Sequence, residues 1–242
     1  MKEIGTMDKI FAVDATYPVT VDIKSGVTGY RITIPAGVVT VERTSRWEPE
    51  KPPAPEPPLV FLQCDGLWGN QIYAPGGTLT FCQAGCLVCC VASLAAWAGY
   101  DTDPPLAADA LGRVGAFAGN NLSHHEKVTE AFPLLEWKGK EDWHKKPANL
   151  ELLRELLEKQ PVIVEVDYKP GTPAIDQHFV LAYEYVSDPT GGLNDDLKIM
   201  DSMAGYTTAT SYFNPSWLSW CQENGVTKVQ RTLTGARIFG IS

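Results

Sequence analysis

A chain of 242 residues has room for one sizeable domain plus an appendage, or for two small domains. Its 44% apolar and 20% charged content is that of a globular protein, and a net charge of −9 without a dense Lys/Arg cluster argues against nucleic acid or an anionic membrane as main partner. No run reaches the roughly 18 apolar residues of a membrane span, and the start, MKEIGTMDKIFAVDATYPV, lacks the apolar core of a secretory signal. The expectation is a cytoplasmic protein, or one released by lysis or carried in a phage particle.

Residues 9–45 alternate in the manner of strands, YPVTVDI and then YRITIPAGVVTVERT, punctuated by Gly26, Gly29 and Gly37. This predicts a small β unit over residues 1–46 with little core of its own. WEPEKPPAPEPP, residues 47–58, reads as an extended proline-rich linker. Residues 59–242 form the larger unit.

In that unit Gly85 to Ala98 is predicted helical. Leu87, Val91, Leu94 and Ala98 make one apolar stripe, while Cys86, Cys90 and Trp97 lie on another, so the helix belongs inside the domain. Leu106–Ala118 and Ser123–Phe132 read as further helices. Asn149–Lys159, NLELLRELLEK, is the clearest amphipathic helix, with Asn149 as N-cap. The period then changes: PVIVEVDY, HFVLAYEY, LKIM and ARIFGI read as strands. Helices followed by strands predict an α+β fold with helices packed on an antiparallel sheet.

Four of the six cysteines, Cys82, Cys86, Cys89 and Cys90, fall within nine residues. A zinc site would ordinarily draw ligands from a second, distant pair, and Cys64 and Cys221 stand apart, so no metal is expected. The lack of an export signal favours free thiols over disulfides. Core packing suits Cys89 and Cys90. Cys86 differs: it follows Gly85 at a helix N-terminus, where free N–H groups and the helix dipole favour a thiolate.

A thiolate nucleophile needs a base, and the base needs an orienting group. Of the four histidines, His124 and His125 sit in the polar NNLSHHEK and His144 in the charged EDWHKK, all read as solvated. His178 opens an apolar strand, where a core-edge histidine satisfied by backbone is the competing reading. If HFVLAYEY and LKIMD pair about a turn centred near residues 189–190, His178 lies opposite Asp201, with Cβ atoms about 5 Å apart. Asp201 would then hold the imidazole as the third member of a triad does. Gln63, in VFLQCDGLWGN, lies 23 residues before Cys86 and has the amide of an oxyanion donor.

Taken together, LQCDGLWGN, AGCLVCCVASLAAWAG, QPVIVEVDY, QHFVLAYEY and LKIMDS, in this order, resemble the C39-like branch of the papain-like cysteine peptidases over residues 59–242. The resemblance implies a papain-like fold and a cysteine peptidase with Cys86 as nucleophile, His178 as base, Asp201 as orienting acid and Gln63 as oxyanion donor. It implies a peptide or protein substrate and no cofactor. Two features depart from the family: Asp201 is followed by Ser202 where proline is common, and Leu-Val-Cys-Cys follows the nucleophile in place of small polar residues. The first 45 residues faintly resemble a bacterial SH3-like domain without its Asn-Val-Arg core. That front end keeps open a lysin cutting peptidoglycan peptides with the same triad. A catalytically silent papain-like module, binding or structural in a virion, is the reading outside the hydrolases.

Overall fold

The structure, a computed structural model, describes residues 57–169, 176–190 and 193–242, together with the backbone of 11–15, 19–25, 28–34 and 37–41. Up to residue 56 the expected proline-rich linker lies outside the described residues. The chain divides into two units, Met1–Glu50 and Lys51–Ser242. In the first, β1 (Phe11–Ala15) pairs antiparallel with β4 (Gly37–Val41), and β2 (Val19–Ser25) with β3 (Thr28–Ile34).

The second unit begins with a short helix, α1 (Phe81–Ala84), and the longer α2 (Cys86–Trp97). Every residue of α2 from Leu87 to Ala95 is buried, so this helix has no solvent face and must sit inside the domain. α3 (Pro104–Arg113) follows, its first turn capped by Asp103, whose carboxylate accepts the Leu106 N–H at 2.9 Å. The small hairpin β5 (Phe117–Ala118) and β6 (Asn121–Leu122) precedes α4 (Lys127–Ala131) and β7 (Leu135–Asp142). α5 (Leu150–Leu157) is capped by Asn149, which accepts the Leu152 N–H at 3.1 Å.

The strands come next: β8 (Val162–Asp167), β9 (Gln177–Val186), β10 (Asp196–Asp201) and β11 (Gly205–Thr208). After α6 (Leu218–Asn224) and α7 (Lys228–Thr232), β12 (Leu233–Ile241) closes the chain. These strands and β7 build one antiparallel sheet of six in the order β11-β10-β9-β8-β12-β7. The α+β expectation is met at this level.

Both faces of the sheet are covered. Ile163, Phe179, Leu181, Met200 and Phe239 join one core with α2, α3 and α4. Val164, Val166, Val180, Ala182, Leu197 and Ile199 join a second core with Leu153 and Leu157 of α5 and Val229 of α7. Burial on both faces explains why PVIVEV reads as a continuous apolar run rather than an alternation.

The structure corrects the expected helix at Leu106–Ala118, which ends at Arg113 because Gly115, at φ 71°, takes the left-handed backbone that closes the turn. The helix expected at Ser123–Phe132 shortens to α4. The edge strand β7 was hidden in the charged run LEWKGKED, where only Leu135 is buried and the solvent-facing positions carry Glu and Lys. Among the described residues no helix is long and apolar enough to cross a membrane.

The face-to-face burial of α2 on the sheet generates one prediction. Leu181 is fully buried between them, so Leu181→Ala lowers unfolding free energy by about 2–5 kcal/mol. Leu67→Ala, at a site 78% exposed, changes it by less than about 0.5 kcal/mol. Urea midpoints at constant slope give both values.

Candidate active site

The site begins at Gly85. A side chain there would place its Cβ 2.7 Å from the Phe81 carbonyl oxygen, so only glycine lets α1 turn directly into α2. Cys86 is therefore the first residue of a buried helix, at the end where backbone N–H groups lack intrahelical acceptors. Its side chain is half-buried and lines a cavity of about 740 Å³, which Gln63, Cys82 and His178 also line.

His178 reaches that cavity from β9, almost fully buried. Its Nε2 donates to Asp201 Oδ1 at 2.8 Å, which leaves Nδ1 for the cavity that Cys86 also lines. Burial disfavours the imidazolium, but the hydrogen bond to Asp201, the interaction with the Cys86 side chain and the charges of both outweigh it and push His178 up to about 9. Asp201 is itself wholly buried. Its Oδ1 also accepts the Met203 N–H at 2.8 Å, and its Oδ2 accepts the Tyr212 hydroxyl. Burial alone would raise this carboxyl; the bonds from His178, Tyr212 and Met203 hold it below the ordinary carboxylate range. Burial and the bond to Asp201 push the Tyr212 phenol well up, so it stays a donor. The rings of Tyr168 and Tyr212 lie 5.7 and 5.8 Å from that of His178.

The register that joins base and acid differs from the expected one. Leu197 and Lys198 oppose Tyr185 and Glu184, but Ile199 opposes Ala182, so Tyr183 is an extra, unpaired residue in β9. Without that bulge Asp201 would arrive opposite Leu181, on the α2 face of the sheet. With it, Asp201 continues opposite Val180, on the face that carries His178. The two side chains are thus diagonal neighbours offset by two residues, not directly opposed, and their lengths close the gap.

Gln63 is held by three bonds. Its N–H donates to the Ser202 carbonyl at 2.8 Å, its Oε1 accepts the Ser202 hydroxyl at 2.9 Å, and its Nε2 donates to the Cys82 carbonyl at 3.0 Å. Ser202 is fully buried. Because its hydroxyl fixes Oε1, the amide nitrogen is the donor end, with a second N–H beyond the one given to Cys82.

The expectation of free thiols is corrected at Cys64 and Cys82, which form a disulfide. The pair lies 18 residues apart, and α1 brings Cys82 back onto the segment that carries Gln63. Cys64 is therefore not isolated. Cys89 and Cys90 are buried core thiols, pushed up by that burial and by the charge of Cys86. Among the described residues no group of three His, Cys, Asp or Glu is placed to hold a metal ion.

The other histidines are only partly as expected. His124 is exposed beside Glu126. His144 is exposed as expected, with Nε2 on Glu165 Oε1 at 2.8 Å. His125 stacks on Trp137 at 5.2 Å and lines the cavity rather than facing bulk solvent. Sequence reasoning also missed Ser202, Tyr212 and Arg237. Ser202 carries a local signal, its place beside Asp201. Tyr212, in the 3-10 turn Ala209–Tyr212, carries none.

Two outcomes follow. Replacing Cys64 and Cys82 by serine removes a cross-link over 18 residues and costs about 3 kcal/mol of unfolding free energy, read from denaturation of both proteins. His178, raised from 6.5 to about 9 on folding, contributes stability fully present below pH 6.5 and lost as pH rises through about 9; NMR titration of its ring shows the same value, and Asp201→Asn lowers it. No protein-family model, no curated protein and no solved structure matches this chain.

Proposed function

We propose that this chain is a cysteine peptidase of papain-like, C39-like type. The observation that carries the reading is the convergence on one cavity of a helix-N-terminal cysteine and a histidine, with a buried carboxylate 2.8 Å from that histidine's Nε2. The same reading assigns the papain-like fold: a buried helix presents the nucleophile to a sheet that presents base and acid.

In this mechanism the Cys86 sulfur attacks the carbonyl carbon of a peptide, and the oxygen takes the electron pair. The Cys86 N–H and the free Gln63 amide hydrogen stabilise that oxyanion. The C–N bond breaks as His178 gives its proton to the leaving amine, which leaves a thioester. Water, deprotonated by His178, attacks the thioester, and the thiolate departs with the acid product formed. Asp201 keeps the imidazole in the tautomer and plane these proton transfers need, while Tyr212 and the Met203 N–H hold Asp201.

The test is hydrolysis of fluorescent casein and, separately, of purified cell walls. Wild-type protein cuts at least the first, and Cys86→Ala abolishes it; retained activity in Cys86→Ala overturns the reading. Gln63→Ala lowers kcat by about 10²–10³ with little change in KM. Activity falls above about pH 9, as His178 loses the proton the leaving amine requires.

A further inference from the structure

The cavity has an arm on the α2 face of the sheet, lined by Phe179 of β9 and Arg237 of β12, with the guanidinium 5.0 Å from the Phe179 ring centroid. Residues 120–123 and His125 line the same cavity.

The charge of this lining is unlike that of the chain. The protein has 29 acidic residues and a net charge of −9, yet no acidic residue is among the described residues that line the cavity, while Arg237, His125 and His178 do. The carboxylate that pairs with Arg237, Glu165, is buried outside the lining and hydrogen-bonded at both oxygens. Its Oε1 takes His144, Gln177 and Thr234 at 2.8, 3.2 and 3.0 Å, and its Oε2 takes Arg237 Nη2 at 3.1 Å.

Glu165 therefore holds Arg237 in place without presenting a free oxygen to the cavity. Arg237 keeps donor capacity: Nη1 gives one N–H to the Ala236 carbonyl at 3.2 Å and Nη2 one to Glu165 at 3.1 Å, which leaves each nitrogen a second N–H. His125 lies within reach of the same charges. Burial, then the positive charges of Arg237 and Lys140, hold it down to about 4 against the opposing pull of Glu126.

We propose that this arm is a carboxylate subsite. Arg237 is its cationic anchor and the neutral His125 imidazole its second donor, so the substrate is a peptide carrying an acidic group close to the bond that is cut. The inference rests on the peptidase reading above and extends it to substrate class. Asp and Glu side chains and a free peptide C-terminus offer the same chemistry, and the experiment separates them.

The probes are blocked alanine-rich hexapeptides carrying one Glu, Gln or Lys at successive positions, and an uncharged hexapeptide ending in a free carboxylate or an amide. Binding is measured to Cys86→Ala protein, with the His125 ring followed by NMR, and cleavage is measured with unmodified protein. A charge-assisted contact of this kind makes the Glu peptide bind about tenfold or more tighter than the Gln peptide, with the Lys peptide weakest. Bound carboxylate moves the His125 signal. If the free C-terminus is the natural anion, the acid-ended peptide shows the same advantage over its amide and the internal Glu shows none.

Arg237→Gln alone would leave Glu165 buried and unpaired, so the variant is Glu165→Gln with Arg237→Gln. In it the preference shrinks to within about twofold. The wild-type peptide series decides the matter even if that variant does not fold. Equal binding of acidic and neutral peptides, or a preference that survives loss of Arg237, overturns the subsite. Cleavage without charge preference overturns the subsite and leaves the peptidase standing. Acid-selective binding with no cleavage leaves the subsite standing and overturns the peptidase.

Discussion

Helix α2 has no face it can give to water, and from that constraint the site's geometry follows. A segment with Leu87 to Ala95 all buried can be stable only between other layers, and the α2 face of the six-stranded sheet supplies one of them. Once the helix is inside, its N-terminus must emerge somewhere. It emerges where β9 begins and β10 ends, so the helix end whose first backbone N–H groups lack intrahelical acceptors coincides with the ends of two strands. Gly85 permits the abrupt entry, and Cys86, His178 and Asp201 are the residues found at those three ends.

A second layer of constraint surrounds Gln63. A glutamine amide can present either its oxygen or its nitrogen, and the two have opposite effects on a developing negative charge. The buried Ser202 hydroxyl removes that ambiguity by occupying Oε1. The dipeptide Asp201-Ser202 thereby orients two groups at once: its first member holds the imidazole and its second the amide. Ser202 supplies a hydroxyl donor that many residues at this position could not.

Much of this was legible in the chain. The apolar helix, the amphipathic α5 with its Asn149 cap, and the four main strands follow from periodicity and cap chemistry, which are local. Cys86, His178 and Asp201 were legible as candidates because each stands at or beside the end of an element, whereas Gln63 lies in a turn outside any helix or strand. What escaped was either nonlocal or masked by charge. Cys64 and Cys82 look unrelated until α1 folds back, β7 hides behind its Glu and Lys positions, and Tyr212 comes from a turn without a pattern. Arg237 reads as one more residue of a terminal strand until the sheet order sets β12 two places from β9.

The bulge at Tyr183 has a bearing on how such a chain can change. Substitutions along β9 alter packing one contact at a time, and a sheet covered on both faces absorbs many of them. Removing a single residue between His178 and the bulge would keep the hydrogen-bonded ladder available and the core positions apolar, yet turn the imidazole to the side of the sheet away from the carboxylate. The quantity that matters in that strand is then its length. Insertions and deletions, usually tolerated best away from cores, would here part the His178–Asp201 pair while leaving a well-folded protein behind.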